Sequence, residues 1–430
     1  MGTGKYHLTC VEGGEIVITD SYTNTCPEGH DSLLRTVYSR KQIRKRSGQG
    51  MFNYIDWLPV EAALPTRAGP ITYKSDGLGK ELGLNNLYIG FSGYWPEKGA
   101  FMKTCSFKEL EAQPTLQRVK ERAGGRIVTV ASAGNTSRAF AEVSSATGMP
   151  VVAVVPSSSL TRMWTTTGNH DSIFLIAVDG DYSDAIAVGK RIAQMEGLVE
   201  EGGVKNVARR DGMGVVELEA AFAMKNGLPD FYFQAVGSGT GAIAAWEAFG
   251  RLIADGRFGA KMPRIVIAQN HPFAPLVSAW QAGRAELIAD RDMKDAEAAI
   301  KIIYADVLST RHPPYSIRGG VYDMLSNTKG TMYGITNDEA REAEKLFEGE
   351  EGIDLDPAAS VAVASVIKAV DDGVLKKEDK ILLNITGGGY KRLKEDCKLY
   401  EIGARCKIKP SDQGALDDVE KELREFVRAW

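Results

Sequence analysis

Four short clusters hold the residue types best suited to chemistry. Gly237-Ser238-Gly239-Thr240-Gly241 follows the apolar run Phe231–Val236 and opens a helix beginning near Ala242. Glycines let backbone N–H groups and a helix N-terminus close around an anion, and the two hydroxyls add donors, so the pattern suits a phosphate cup. A tight strand-to-helix turn without ligand is the alternative. A dinucleotide would want an acidic residue at the end of the next strand, where the chain carries Gln269-Asn270-His271, so a single phosphate is preferred. Lys108 stands in the first turn of a helix continued by Glu109-Leu110-Glu111-Ala112. The positive end of the helix dipole disfavours an ammonium there, which suits a nucleophilic amine; an ordinary solvated lysine is the alternative. Ser132-Ala133-Gly134-Asn135-Thr136-Ser137 links the run Ile127–Val130 to the next helix. Its donors suit a carboxylate and the Asn135 amide suits a phenolic oxygen, while a helix cap by Asn135 or Thr136 is compatible with both. Asn384-Ile385-Thr386-Gly387-Gly388-Gly389 ends the last apolar run, where the Thr386 hydroxyl can meet a ring nitrogen; alone it is only a turn.

The elements that must position these clusters are legible as alternation. Strand-like runs at Ile127–Val130, Val151–Val155, Phe174–Val178, Phe231–Val236, Ile265–Ala268 and Ile381–Ile385 alternate with helical stretches. Those stretches are Ser137–Thr147, Asp184–Met195, Val215–Asn226, Ile243–Asp255, Asp338–Phe347 and Ala359–Asp371, and the pattern predicts an α/β protein with parallel, buried sheets. At 430 residues the chain is long enough for two lobes with a cleft between them. The net charge of −4, with both signs interspersed, gives no nucleic-acid groove. No apolar run approaches a membrane span, and five cysteines, an odd number, fit a reducing compartment, so a cytoplasmic protein is expected. Residues 1–48 are polar, hold Cys10 and Cys26, and end in the basic stretch Arg40–Arg46; they read as a small module with a linker. Near the C-terminus Leu416, Val419, Leu423, Phe426 and Val427 share one helical face that docks on the body or on a neighbouring subunit.

Taken in this order, the four clusters resemble the fold-type II pyridoxal-phosphate family, threonine synthases in particular, over most of the chain. Tyr54-Ile55-Asp56-Trp57-Leu58-Pro59 is similar to their entry segment and Ser106-Phe107-Lys108 to their Schiff-base motif. Ser132–Ser137 resembles their carboxylate loop, and Asp356-Pro357-Ala358-Ala359-Ser360 their helix start of Glu-Pro-x-Ser type. The resemblance implies a tryptophan synthase β-like fold of two open twisted α/β lobes with pyridoxal 5'-phosphate between them. It implies a large lobe from 49–115 and 228–410, a smaller mobile lobe at 116–227, and a C-terminal helix at 411–430. It makes Lys108 catalytic, sets Asn135 on the cofactor's ring hydroxyl, gives its phosphate to Gly237, Ser238, Gly239, Thr240 and Gly241, and faces Thr386 to its ring nitrogen. Ser132, Thr136 and Ser137 then belong to the substrate, together with Lys103, Thr104 and Arg318; Arg138 and His271 are further candidates for binding anions.

Departures bear on the substrate. Threonine synthases follow the lysine with an Asp-Arg pair, whereas Glu109-Leu110-Glu111-Ala112 stands here, and Ser92–Lys103 replaces their short Asn-Pro-Thr-Gly approach. The segment Met102–Ala112 is instead similar to the cysteate-forming paralogues of methanogenic archaea, which make L-cysteate from O-phospho-L-serine and sulfite on the way to coenzyme M. That likeness implies β-replacement: Lys108 takes the α-proton, phosphate leaves, and sulfite adds. A neutral Thr386 hydroxyl, unlike a carboxylate, does not keep the ring nitrogen protonated, which favours elimination. Threonine synthesis from O-phosphohomoserine is the alternative of the same chemistry. A cofactor-less regulatory paralogue is the alternative of another class, and the intact Lys108, Asn135, glycine cup and Thr386 speak against it. Small molecules, a homo-oligomer, and neither nucleic acid nor membrane are the expected partners. Cys10-Val11-Glu12-Gly13 and Cys26-Pro27-Glu28-Gly29-His30 resemble two zinc-ribbon knuckles whose second cysteines have become glycine. Cys10, Cys26 and His30 fall short of the four ligands zinc wants, so no metal is expected.

Overall fold

The computed structural model describes residues 4–14, 16–225 and 227–430. Two mainly parallel sheets organise it. The smaller has five parallel strands in the order Leu198–Glu200, Ile127–Ala131, Val151–Pro156, Ile173–Val178, Cys406–Ile408. The larger has six, in the order Thr331–Ile335, Arg264–Asn270, Phe231–Ala235, Lys380–Ile385, Asn86–Phe91, Ile71–Lys74, of which only the last is antiparallel to its neighbour. Both central strands of the smaller sheet are buried along their whole length, as expected of continuous apolar runs covered by helices on both faces.

Each predicted strand forms, and the predicted helices appear with ends shifted by a few residues: Asn135–Thr147, Tyr182–Ile192, Val215–Ala223, Thr240–Asp255, Asn337–Glu351 and Pro357–Asp371. Asn226, the expected end of one of them, lies outside the described residues. The lobes are less contiguous in sequence than expected. Cys406–Ile408, assigned to the large lobe's 228–410 stretch, pairs in parallel with Ile173–Val178 and closes the smaller sheet. The Val215–Ala223 helix, assigned to the smaller lobe, packs instead against the Ile71–Lys74 and Asn86–Phe91 strands of the large one. The C-terminal helix, Gln413–Ala429, seats Leu416, Val419, Leu423 and Phe426 in the smaller lobe's own core with Phe174 and Ile176, so its apolar face is satisfied within the chain.

The N-terminal module is a three-stranded antiparallel sheet of Tyr6–Cys10, Val17–Ile18 and Leu34–Tyr38. It docks on the Lys108–Arg122 helix through polar contacts that are buried. Arg118, fully buried, donates to Asp20 at 2.6 and 2.8 Å, to Asn24 at 3.0 Å, to the Thr23 carbonyl at 2.9 Å and to Asn206 at 2.9 Å. Thr36 and Tyr38 each donate to Asp211 at 2.6 Å.

Candidate active site

Lys108 is held by the backbone on both sides of a sharp turn. The Phe107 N–H donates to the Thr386 carbonyl at 2.9 Å, and the Gly388 N–H donates to the Cys105 carbonyl at 3.1 Å. Cys105 adopts a φ of +53°, a conformation uncommon outside glycine, which costs on the order of 1–3 kcal/mol and persists only where the surroundings enforce it. These bonds splice the lysine turn to the end of the last large-sheet strand, and so fix Lys108 relative to Thr386.

The cleft between the lobes has an empty volume of about 930 Å³ that opens to solvent. It brings together Lys108, Asn135, the whole Gly237–Gly241 turn and Thr386, with Ser132 and Thr136. The loops after Ile127–Ala131, Phe231–Ala235 and Lys380–Ile385 meet there because parallel strands deliver their C-terminal loops to one edge. The Thr240–Asp255 helix starts at Gly239, whose φ is +84°, and a side chain at Gly241 would stand 2.4 Å from the Gln234 amide nitrogen. Both positions therefore require glycine, and the close approach leaves the helix's unpaired first-turn N–H groups at the cleft. The Ser238 and Thr240 hydroxyls lie 2.8 Å apart beside them.

The Lys108 amine lies 3.1 Å from Glu111, one helical turn on, and Glu111 is 2.9 Å from Arg209, which also pairs with Glu201 at 2.6 Å. The four charges cancel in a buried row. Burial lowers the amine's pKa from the ordinary lysine value, with the Glu111 carboxylate opposing and Arg209 adding to the shift. Asn135 is oriented from behind. Arg138 is buried and its Nη2 donates at 3.0 Å to the Asn135 carbonyl oxygen, at 3.0 Å to the Thr104 carbonyl and at 2.9 Å to the Tyr390 hydroxyl. A guanidinium only donates, so the Asn135 oxygen faces Arg138 and its NH₂ group is left to donate elsewhere. Tyr390 in turn donates to Asp356 at 3.1 Å, and Asp356 caps the Pro357–Asp371 helix.

The expected substrate residues divide. Ser132 and Thr136 line the cleft, but Lys103, Thr104, Ser137 and Arg318 do not. Thr104 is buried and gives its N–H and hydroxyl to Glu109 at 2.8 and 2.9 Å; burial pushes that carboxyl up to about 8. Ser137 is fully buried on the inner face of its helix, Lys103 is exposed, and Arg318 faces solvent beside Asp323 at 3.3 Å. Arg138 works inside the protein, and His271 is exposed away from the cleft. Arg209, Tyr182, Gln234 and Asp356 line the cleft unforeseen. Arg209 is followed by Arg210 and Asp211, and three consecutive charges in the middle of the otherwise uncharged Val207–Met213 helix are the signal that was available. The cleft widens outward into a vestibule where Lys190, Lys205 and His312 join Arg209, and Asn24 and Thr25 of the N-terminal module form part of the wall.

The donor set answers point by point to pyridoxal phosphate. An amine of lowered pKa stands for the aldehyde, helix N–H groups and two hydroxyls for the phosphate, a free amide NH₂ for the ring oxygen, and a hydroxyl for the ring nitrogen. Comparisons with known proteins agree. The sequence profile of the family described as "Pyridoxal-phosphate dependent enzyme" matches residues 72–387. The chain is 53% identical over 427 residues to the cysteate synthase of Methanoculleus marisnigri, covering 99% of this chain and 97% of that one. It is 56% identical over 425 residues to that of Methanospirillum hungatei, covering 99% of each. Among solved structures, a fungal L-serine ammonia-lyase from Rhizomucor miehei superposes with a TM-score of 0.57 at 15% identity, over 76% of this chain and 98% of that one. Maize serine racemase does so with a TM-score of 0.56 at 16% identity, over 76% and 92%; at such identities the likeness concerns the fold alone.

Proposed function

This chain belongs to the pyridoxal-phosphate dependent enzyme family, and from that premise we propose that it converts O-phospho-L-serine and sulfite to L-cysteate and phosphate. The observation that carries the reading is the near-complete match, end to end, to proteins named cysteate synthase, in a chain whose four chemical clusters share one cleft. The fold is of type II, and pyridoxal phosphate is the cofactor.

When bound, the cofactor supplies an electron sink for charge developing at the substrate's Cα. In this reading the chain's own residues do the following. Lys108 anchors the cofactor and, once released, moves the proton at Cα; its lowered pKa keeps a share of the amine uncharged and able to accept. The Asn135 NH₂, aimed by Arg138, donates to the ring oxygen. Helix N–H groups with Ser238 and Thr240 hold the cofactor phosphate, and the neutral Thr386 hydroxyl meets the ring nitrogen. Ser132 and Thr136 receive the substrate carboxylate.

The substrate's phosphate and the incoming sulfite are both anions, and Arg209, although already paired with Glu111 and Glu201, is the guanidinium that stands at the junction of cleft and vestibule. Lys190 and Lys205 line the outer vestibule as further cations, with Glu200 and Glu201 on the same wall. Among the described residues no helix is long and apolar enough to cross a membrane. The five unpaired cysteines support a cytoplasmic setting. Incubating the holoenzyme with O-phospho-L-serine, with and without sulfite, tests the function: cysteate must form only when sulfite is present. Phosphate release with no sulfonated amino acid would refute it.

A further inference from the structure

The N-terminal module gathers three metal-ligating atoms that its spacing does not advertise. Cys10 ends the first strand of the module and is fixed there by pairing with Leu34. Cys26 sits in the loop before the last strand, where a tight turn, closed by the Gly29 N–H on the Cys26 carbonyl at 3.1 Å, brings His30 back onto it. The Nδ1 of His30 lies 3.4 Å from the Cys10 Sγ and 3.5 Å from the Cys26 Sγ, and all three atoms fall within 4.8 Å of one another.

Hydrogen bonding does not account for this convergence. In either tautomer of a neutral imidazole Nδ1 offers one lone pair or one N–H, enough for one well-aligned hydrogen bond, yet two sulfurs approach the same nitrogen at nearly equal distance. A tetrahedral ion accounts for both. With metal–sulfur bonds of about 2.3 Å and metal–nitrogen bonds of about 2.0–2.1 Å, the sulfur–nitrogen edge of a tetrahedron is about 3.5–3.6 Å. Both observed edges, 3.4 and 3.5 Å, match that length to within about 0.2 Å.

Gly13 explains why the glycines of the knuckles do not exclude a metal. A Cβ there would stand 2.7 Å from the Ile16 Cδ1, 3.1 Å from the His30 Cε1 and 3.2 Å from its Nδ1, so Ile16 and the imidazole together occupy the room that a side chain at position 13 would need. His30 thus fills the neighbourhood of one missing cysteine. The expectation of a metal-free relic counts ligands by spacing alone, and spacing does not show that His30 swings into that room.

We propose that Cys10, Cys26 and His30 bind one divalent cation of the zinc class, with solvent as fourth ligand. Both sulfurs are nearly buried while His30 is part-exposed, which leaves the fourth corner on the solvent side. The role is structural. Asn24 and Thr25, immediately before Cys26, form part of the vestibule wall, and the Asp20–Asn24 stretch holds Arg118 of the helix that begins with Lys108. Tying Cys26 to Cys10 pins that stretch to the end of the central strand of the module's sheet.

The test is titration of chelator-treated, fully reduced holoenzyme with Co²⁺, followed by displacement with Zn²⁺. One cobalt per chain is expected, with thiolate-to-cobalt charge-transfer absorption and the visible bands of tetrahedral cobalt, both lost on adding zinc. Cys10→Ser and His30→Ala should each abolish stoichiometric binding, whereas Cys397→Ser should leave it intact. The wild-type titration needs no variant to fold: absence of the thiolate bands at one equivalent overturns the proposal. So does their persistence in Cys10→Ser.

Discussion

Glu111 approaches Lys108 from inside the protein, and its carboxylate is what keeps the amine from falling further below its ordinary pKa. Glu111→Gln removes that support while Arg209 still opposes the ammonium. The free amine is the form that accepts a proton, so the acid limb of kcat should move to lower pH in the variant; an unmoved limb would mean that Lys108 is not the titrating base. Lys108→Ala should lose the lysine-linked adduct that borohydride traps in the wild type and fall by at least about 10²-fold in turnover. A trapped peptide centred on another lysine would reassign the role. Asn135→Ala should retain cofactor but turn over more slowly, because its NH₂ orients the ring and the glycine turn anchors the phosphate. That Lys108, Asn135, Thr386 and the glycine turn share one cleft was legible because each is a local pattern: a residue type at the start or end of an element. Arg209 was not, since its value comes from meeting Glu111 and Glu201 across the fold. Lys103 and Arg318 misled for the converse reason: nearness in sequence to a cluster or to a turn-rich stretch says nothing about which way a long side chain points.

The Lys108–Arg122 helix is the element on which most depends, since its first residue works in the cleft and Arg118, ten positions on, anchors it to the N-terminal module. Arg118 and Asp20 are both essentially out of water. Asp20→Ala strands a buried guanidinium and should destabilise the fold by about 3–5 kcal/mol, read from denaturant unfolding. Glu297→Ala, which breaks a pair with the exposed Lys301 at 2.8 Å, should cost about 1 kcal/mol or less by loss of that pair. Similar losses in the two variants would show that the module is not braced through Arg118. The strands and helices were legible because buried parallel strands are continuous apolar runs and helices repeat at their own period. Strand order was not: nothing local in Cys406-Lys407-Ile408 tells that it returns to pair with Ile173–Val178, over two hundred residues earlier. The same holds for Val215–Ala223, whose apolar residues say that it is buried but not against which sheet; it packs on Ile71–Lys74 and Asn86–Phe91.

At the scale of the whole molecule, two lobes and the small module enclose one cleft with its cations toward the mouth, and this arrangement must distinguish substrates that differ by one methylene. Phosphoserine loses its β-phosphate after one deprotonation at Cα, whereas phosphohomoserine needs a second at Cβ before its γ-phosphate can leave. A site fitted to the shorter substrate holds its phosphate about one methylene nearer the cofactor, a difference worth ~1–3 kcal/mol, or roughly 10- to 200-fold in selectivity. The most direct measurement is the pair of kcat/KM values for one holoenzyme preparation: phosphoserine with saturating sulfite, scored as cysteate, and phosphohomoserine with water, scored as threonine. The prediction is a ratio of about 10 to 200 in favour of cysteate. A higher kcat/KM for threonine from phosphohomoserine would contradict the assignment.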